Sequence, residues 1–301
     1  MRKPFCDAMV SRATNPQLVF LTGDLGYMAL EPLQAALGKR FINAGVAEQN
    51  MISVAAALAK EGMEAWAYSI APFCYARPFE QIRNDIAFHD LPVKLVGNGG
   101  GYGYGVMGPT HHAIEDYGVL LTLPAMQVFV PVFDEDIKTV VGRVADTTHP
   151  AYLRLGRGEL SEQFEAPPYA PWRQLIAGDG MVVIAVGPIA GSFLGALSAL
   201  PQSNRPNLWA LAELPVLWES MPAPLQSQLQ SQKRVCVVEE HVARGGVGAE
   251  LALLLVKRGI APQRFFHLCA QAHIYERYGS QTFLRKQSQL DVAALLSVLK
   301  E

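Results

Sequence analysis

The chain has 301 residues, enough for two domains of ordinary size. Its 25 basic and 27 acidic side chains give a formal net charge of −2 with no long basic run, which argues against nucleic-acid binding. Half of the residues are hydrophobic and 17% are charged, a balance that fits extra apolar surface buried against partners. The longest apolar stretches, Met181 to Val186 and Leu251 to Val256, are far too short to span a bilayer, and Met1-Arg2-Lys3-Pro4 leads into no signal-type core; the four scattered cysteines form no CxxC pair, so reduced thiols in a cytoplasmic protein are expected, with no membrane association, disulfide or zinc site.

Short apolar runs alternate with helical patterns along the chain. Leu18 to Leu21 reads as a strand, and Ala47 to Lys60 as a helix with Met51, Val54, Ala55 and Leu58 at core spacing. Glu64 to Ile70 is a strand, Pro78 to Phe88 a helix with proline in its first turn, and Val93 to Val96 a strand that runs into a glycine-rich loop. Ala113 to Leu121 reads as helix, Met126 to Val130 as strand, Glu135 to Val144 as helix and Tyr152 to Leu155 as strand. Three prolines then fall between Glu165 and Pro171, and no period passes through them; this is the expected linker. Beyond it the alternation resumes, with strands at Met181 to Val186, Leu208 to Leu211, Val235 to Val238 and Phe265 to Leu268, and helices at Gly191 to Leu200, Pro224 to Gln230 and Gly248 to Lys257. The pattern predicts an α/β protein of two three-layer domains, residues 1–168 and 169–301, the first around a parallel sheet covered on both faces.

Two segments carry candidate chemistry. In Phe41-Ile42-Asn43-Ala44-Gly45-Val46-Ala47-Glu48-Gln49-Asn50-Met51 a strand end runs into an Ala-rich helix, with Glu48 in its first turn. Burial disfavours the charge of an acid there, and the positive end of the helix dipole favours it; on this segment alone a capping role is the plainer reading. The second segment follows the Val93 strand: six glycines lie between Gly97 and Gly105, and Gly108-Pro109-Thr110-His111-His112 ends the loop. Ligands of parallel sheets bind beyond the carboxyl ends of strands, and such a loop could cradle phosphate. It lacks GxGxxG opening a helix and GxxxxGK[ST], however, so a mononucleotide site is weakly supported, and a surface loop with structural histidines stays open.

Taken together, GVAEQNM (Gly45 to Met51), FEQIRND (Phe79 to Asp85), GPTHHAIED (Gly108 to Asp116), Pro124 to Pro131, YLRLGRG (Tyr152 to Gly158) and VVEEHVARGGVGAEL (Val237 to Leu251) resemble the C-terminal half of a transketolase, in order and over nearly the whole chain. The likeness is greatest to split transketolases, in which the pyrimidine-binding and C-terminal domains form a separate subunit; 1-deoxyxylulose-5-phosphate synthase and the β subunits of 2-oxoacid dehydrogenases are more distant. The resemblance implies a thiamin diphosphate-dependent transferase of two-carbon ketol units from a ketose to an aldehyde. Glu48 would hydrogen-bond the aminopyrimidine ring nitrogen. His111 would stand beside the substrate oxygen as a catalytic and substrate-binding group, and His112 would orient the loop or pair with Glu115. Phe73, with Ile70 and Tyr75 nearby, would pack against the aminopyrimidine; the alternative for Phe73 is ordinary core packing. Asp24 matches an acid of the cofactor pocket. Arg157 matches an arginine that binds substrate phosphate, a guanidinium being suited equally to phosphate and sulfonate, and a domain-edge salt bridge is its alternative. Arg83 would pack at a subunit interface, and Glu239, Glu240 and His241 would be structural.

The departures are also informative. The family holds the diphosphate and its Mg²⁺ with a GDG…N motif in an N-terminal domain. Here Gly178-Asp179-Gly180 is the one such triplet; it falls at the linker's end and reads as a turn. No metal ligand is therefore expected on this chain, and an N-terminal transketolase-like partner subunit is expected to supply that half with Mg²⁺ or Ca²⁺, in a heterotetramer that includes self-association. Larger transketolases have Asp where Met107 stands, a phosphate-side histidine near Gly99 and a serine near Met28. Their loss implies a more open, more apolar pocket and a non-standard sugar substrate: sulfo-, deoxy-, branched or carrier-bound. A 2-oxoacid dehydrogenase β-type acyl-transfer subunit and a non-catalytic scaffold subunit are the competing readings.

Overall fold

The computed structural model describes residues 1–158, 164–273 and 279–301. Seven strands form the first sheet: β1 (Leu18–Thr22), β2 (Phe41–Asn43), β3 (Glu64–Ile70), β4 (Lys94–Asn98), β5 (Gln127–Phe129), β6 (Ala151–Leu155) and β10 (Glu213–Leu214), in the order β10-β5-β6-β4-β3-β1-β2. All neighbours are parallel except β10, which runs antiparallel along β5 although it comes from beyond the proline-rich break. The second sheet holds β7 (Trp172–Ile176), β8 (Val182–Val186), β9 (Asn207–Leu211), β11 (Arg234–Val242) and β12 (Arg264–Ala270) in the order β12-β11-β8-β9-β7, with β7 antiparallel.

Side chains alternate across the first sheet as strand geometry requires. Leu18 and Phe20 pack on one face beneath α1 (Arg2–Ser11), α2 (Glu31–Leu37) and the helix Ile137–Asp146, with Phe5, Met9, Leu33, Val140 and Trp66. Val19 and Leu21 pack on the other, against α3 (Glu48–Lys60). Ala55, Ala56 and Ala59 are buried there, and such small side chains let the helix lie close to the sheet. α3 stops at Gly62, which adopts φ +85° while Gly62 N and Met63 N bond back to Ala59 O and Leu58 O. The apolar cluster on this face continues through Tyr117, Val128 and Trp172 to Ile184 and Val237, so one core joins both sheets.

Several expectations are corrected. Ala113 to Leu121 is not one helix: Ala113 makes paired backbone bonds with Gly101 (2.8 Å each way), and only Asp116–Leu120 is helical. Pro78 to Phe88 begins with a short turn, Phe79–Gln81, then widens into a π-type segment, Ile82–Ala87. Gly191 to Leu200 is a tight turn running into a helix at Leu194–Ser198 alone. The sequence reading overlooked α1, α2, β7, β10 and the two C-terminal helices, Gln281–Gln287 and Val292–Lys300.

A buried guanidinium links the two sheets. Arg154 on β6 donates through Nε to Asp116 Oδ2 (2.7 Å) and through Nη2 to Ala113 O (2.8 Å) and Glu240 O (3.0 Å), the last on β11. Both Arg154 and Asp116 are buried, and Tyr152 adds a hydroxyl to Asp116 at 2.9 Å. Arg154→Met would leave the buried Asp116 carboxylate with only the Tyr152 hydroxyl, and would take one donor each from the Ala113 and Glu240 carbonyls. We expect it to lower unfolding free energy by about 3–5 kcal/mol in urea titrations; a loss under about 1 kcal/mol would contradict this account.

Candidate active site

The carboxyl ends of β6, β4, β3, β1 and β2 lie side by side, with Asn98 in register with both Leu155 and Ile70, and Thr22 with both Tyr68 and Asn43. The segments that leave these ends carry Arg157, the glycine-rich loop, Phe73, Asp24 and Glu48 respectively, so the topology gathers residues far apart in sequence along one edge.

Glu48 opens α3 and is only 7% exposed. Its Oε1 accepts from Arg77 Nη1 at 3.0 Å. The Arg77 guanidinium also lies over the Phe73 ring, 4.1 Å from its centroid, and Phe73 meets His111 edge-on at 5.1 Å. The result is a contiguous row of carboxylate, guanidinium, phenyl and imidazole. Sequence reasoning missed Arg77. The signal available was its place four residues after Phe73, in the turn that follows the helix Ala71–Tyr75, but nothing in the sequence tied it to an acid 29 residues away.

Ile70 ends β3 half-buried, where it can serve as an apolar wall. Tyr75 is turned into the core, and its hydroxyl donates to Glu115 at 3.2 Å, so it supports that wall from behind. Asp24 is exposed and accepts from Asn43 Nδ2 at 3.2 Å, while Asn43 Oδ1 accepts from Gly45 N at 2.9 Å. This links the β1 end to the turn before Glu48. Asp24 lines a separate cleft of about 230 Å³ with Tyr27 and Gln34.

The glycines of the loop are explained by close approach to neighbours. A Cβ on Gly97 would collide with the Tyr152 hydroxyl, one on Gly100 with Arg154, and one on Gly101 with Glu240. The loop is therefore pressed onto the Arg154 network. Gly101 and Ala113 close its base, and Tyr102 anchors its middle: its N donates to Glu240 Oε1 at 2.8 Å, and its hydroxyl lies 3.0 Å from Ser288 Oγ. His112 is buried, with Nε2 3.2 Å from Gly105 O. The expected His112–Glu115 pair does not form; Glu115 takes His273 at 2.6 Å. Glu239 accepts from Tyr117, Val247 N, Gly248 N and His267, and Glu240 from Gln281 and Arg285; both are buried within the second sheet's packing.

With His112 fixed, His111 is left half-exposed at the rim with Nδ1 2.9 Å from Thr110 Oγ1. Burial, followed by the Arg77 charge, pushes its pKa below the ordinary histidine value, so the ring is neutral at pH 7. If the Thr110 hydroxyl donates to Nδ1, the imidazole carries its proton on Nε2.

Arg157 is exposed at the mouth of a cleft of about 410 Å³, shared with Arg2, Gly99, Asn98 and Tyr104. Arg2, at the start of α1, is a second cation that the sequence reading overlooked. Met107 and Met28 are 55% and 78% exposed and lie outside this lining. The expected open space beside Gly99 is not there, because the Tyr104 ring fills it. Arg83 donates to Asn84 Oδ1 at 3.2 Å on the surface.

The transketolase pyrimidine-binding domain family matches residues 7–163. One subunit of the apulose-4-phosphate transketolase of Phocaeicola vulgatus is 28% identical over 82% of this chain and 81% of its own length. A putative transketolase C-terminal section of Methanocaldococcus jannaschii is 30% identical over 86% of this chain and 83% of its own. Among solved structures, a split-gene transketolase described as an inactive β4 tetramer superposes with a TM-score of 0.83 at 28% identity, covering 99% of this chain and 96% of that one.

Protonation should couple to stability here with a defined sign. His111 and His112 are held below 6.5 mainly by burial, so the unfolded chain takes up protons first and stability falls as pH drops through about 6.5. Glu115, Glu239 and Glu240 are held below 4.5 by their partners against burial, so a further loss follows as pH falls below about 4.5; Glu250, raised by burial, opposes it. Melting curves between pH 7.5 and 3 should show a falling midpoint with two steps, the upper one smaller in His112→Gln; a midpoint that rises between pH 7 and 5.5 would refute the assignment.

Proposed function

The chain belongs to the transketolase pyrimidine-binding domain family and is the C-terminal subunit of a split transketolase; from this premise we propose that it moves a two-carbon ketol unit from a ketose to an aldehyde only when joined to a partner subunit. The observation that carries this reading is the row Glu48–Arg77–Phe73–His111 at the carboxyl edge of a parallel sheet.

The residues fit the ring half of thiamin diphosphate: a buried carboxylate, an aromatic face, an aliphatic strand end and a neutral imidazole. When bound, the cofactor supplies the electron sink for breaking and making the ketol carbon–carbon bond. Glu48 would accept or share a proton at the aminopyrimidine nitrogen, with Arg77 fixing its rotamer. Phe73, backed by Ile70 and Tyr75, would bear on the ring, and Asp24 would border the same edge. His111 would hold or move a proton at the substrate carbonyl oxygen. Arg157 and Arg2 would hold an anionic group at the far end of the substrate, with Gly99 flooring that cleft. Met107 offers a sugar hydroxyl only a weak sulfur acceptor, which supports a modified or branched ketose.

The diphosphate and Mg²⁺ (or Ca²⁺) are assigned to the partner, an N-terminal transketolase-like subunit. Support comes from the exposed apolar side chains Tyr27, Met28, Val46, Val106 and Met107, all on segments at this same edge, where a partner would cover them. Two such chains would join two partners in the cytoplasm; the four cysteines are free thiols, as in a reducing compartment.

Glu48→Gln keeps the side-chain shape and removes the charge. In the complex with the partner, we expect it to lower kcat by at least about a hundredfold while the melting midpoint shifts by only a few degrees. Wild-type turnover in this variant with thiamin diphosphate saturating would refute the role of Glu48.

A further inference from the structure

The chain that leaves β12 brings the second domain against the glycine-rich loop. Ala272 O accepts from the Tyr102 hydroxyl at 3.2 Å. His273 follows, with Nε2 2.6 Å from Glu115 Oε1; a carboxylate only accepts, so Nε2 carries the proton. The His273 ring also lies nearly parallel to that of His112, with 13° between planes and centroids 6.2 Å apart. Farther along the chain, Gly279 meets the loop again: a Cβ on Gly105 would strike Gly279 O. The second domain thus bears on the loop at Tyr102 and Gly105, before His111, and at His112 and Glu115, after it.

Glu115 passes these contacts on to the wall of the site. Its Oε2 accepts from the Tyr75 hydroxyl at 3.2 Å, and Tyr75 lies on the same short helix, Ala71–Tyr75, as Phe73. Burial opposes the Glu115 charge, but the His273 contact, with the Tyr75 hydroxyl after it, holds the carboxyl below its ordinary value. His112 is fixed more by packing than by polar partners. Its Nε2 lies 3.2 Å from Gly105 O, while its buried Nδ1 has no partner among the described residues. The Tyr102 ring, perpendicular at 5.3 Å, and the His273 ring pack against it. His111 therefore stands between two groups tied to His273: His112 beside it in the chain, and Phe73 edge-on at 5.1 Å.

We infer that His273 is a positioning residue of the active site: by its hydrogen bond to Glu115, and secondarily by its ring against His112, it sets from the second domain where His111 stands relative to Phe73. It acts through those two neighbours and lends no group to the reaction. The placement of His111 rests on these contacts alone, whereas its consequence for turnover rests on the proposed function. In this reading the second domain takes part in catalysis by holding the glycine-rich loop in register with the helix that carries Phe73.

The first test uses the full chain by itself and follows the His111 imidazole by NMR between pH 8 and 5, its signal assigned from the spectrum of His111→Gln. The titratable and charged groups facing His111 are Arg77, Tyr104 and His112, with Phe73 and Thr110 also in contact. Burial, followed by the Arg77 charge, holds its pKa below the ordinary histidine value. Loosening the turn exposes the ring, so in His273→Ala that pKa should rise by about half a unit toward the ordinary value. His273→Gln returns a donor to Glu115 and should restore the wild-type titration. In the complex with the partner, His273→Ala should lower kcat about tenfold with KM unchanged, and His273→Gln should recover most of that loss. Tyr75→Phe removes the hydroxyl on the other oxygen of the same carboxylate; it should shift His111 in the same direction, and it carries the test if His273→Ala does not fold. An unaltered His111 titration in the folded variants, equal kcat losses in His273→Ala and His273→Gln, or a loss confined to KM would each overturn the assignment. Failure of the thiamin reading would show separately, as full turnover in Glu48→Gln with the His111 shift intact.

Discussion

Arg154 is the constraint on which the site depends. A fully buried guanidinium must satisfy its donors within the protein, and this one does so on three separate stretches: Asp116 after the loop, Ala113 at the loop's base and Glu240 on the second sheet. Glu240, held by Arg285 and Gln281, in turn accepts from Tyr102 in the middle of the loop. The loop that presents His111 and Tyr104 is thus gripped from both sheets. The grip also dictates composition, since side chains at Gly97, Gly100 or Gly101 would displace Tyr152, Arg154 or Glu240. A segment that by glycine content alone resembles a flexible surface loop is tightly packed.

That explains how much of the molecule was legible in the sequence. The central strands and α3 could be read because their periodicity records burial: Leu18 to Leu21 and Val182 to Val186 are apolar on both faces. Glu48 and His111 stood out because each lies in a distinctive local run. The N-terminal helix was hidden by its charged, proline-containing start, although Phe5 and Met9 bury at helical spacing. The C-terminal helices did carry start signals, Ser280 accepting from Phe283 N and Asp291 from Ala294 N, but their short apolar stripes were weak evidence without those caps. Residues whose meaning comes from long-range contact stayed invisible. Arg77 matters because of Glu48, Arg2 because α1 begins beside the cleft, and His112 chose a loop carbonyl over the nearby Glu115 because the loop folds back on itself.

The site has an electrostatic gradient along its length. At one end two guanidinium groups flank a cleft, in the middle stand aromatic rings and a neutral imidazole, and at the other end lies a buried carboxylate matched by one arginine. Such a gradient would orient a molecule carrying a single anionic end before any specific hydrogen bond forms. The carboxylate end is the more enclosed, Glu48 being buried, whereas Arg157 at the cationic end is exposed to solvent.

Strand β10 has a structural consequence of another kind. Two residues from the second half of the chain close the outer edge of the first sheet by pairing with β5, and the Arg143–Glu213 and Tyr169–Glu213 contacts fasten them there. Without that strap, β5 would offer unpaired amides and carbonyls to any neighbouring chain. Severing the halves would therefore not yield two tidy modules; the N-terminal piece would be left with an adhesive border, and keeping the two folds on one polypeptide guards this protein against self-stacking.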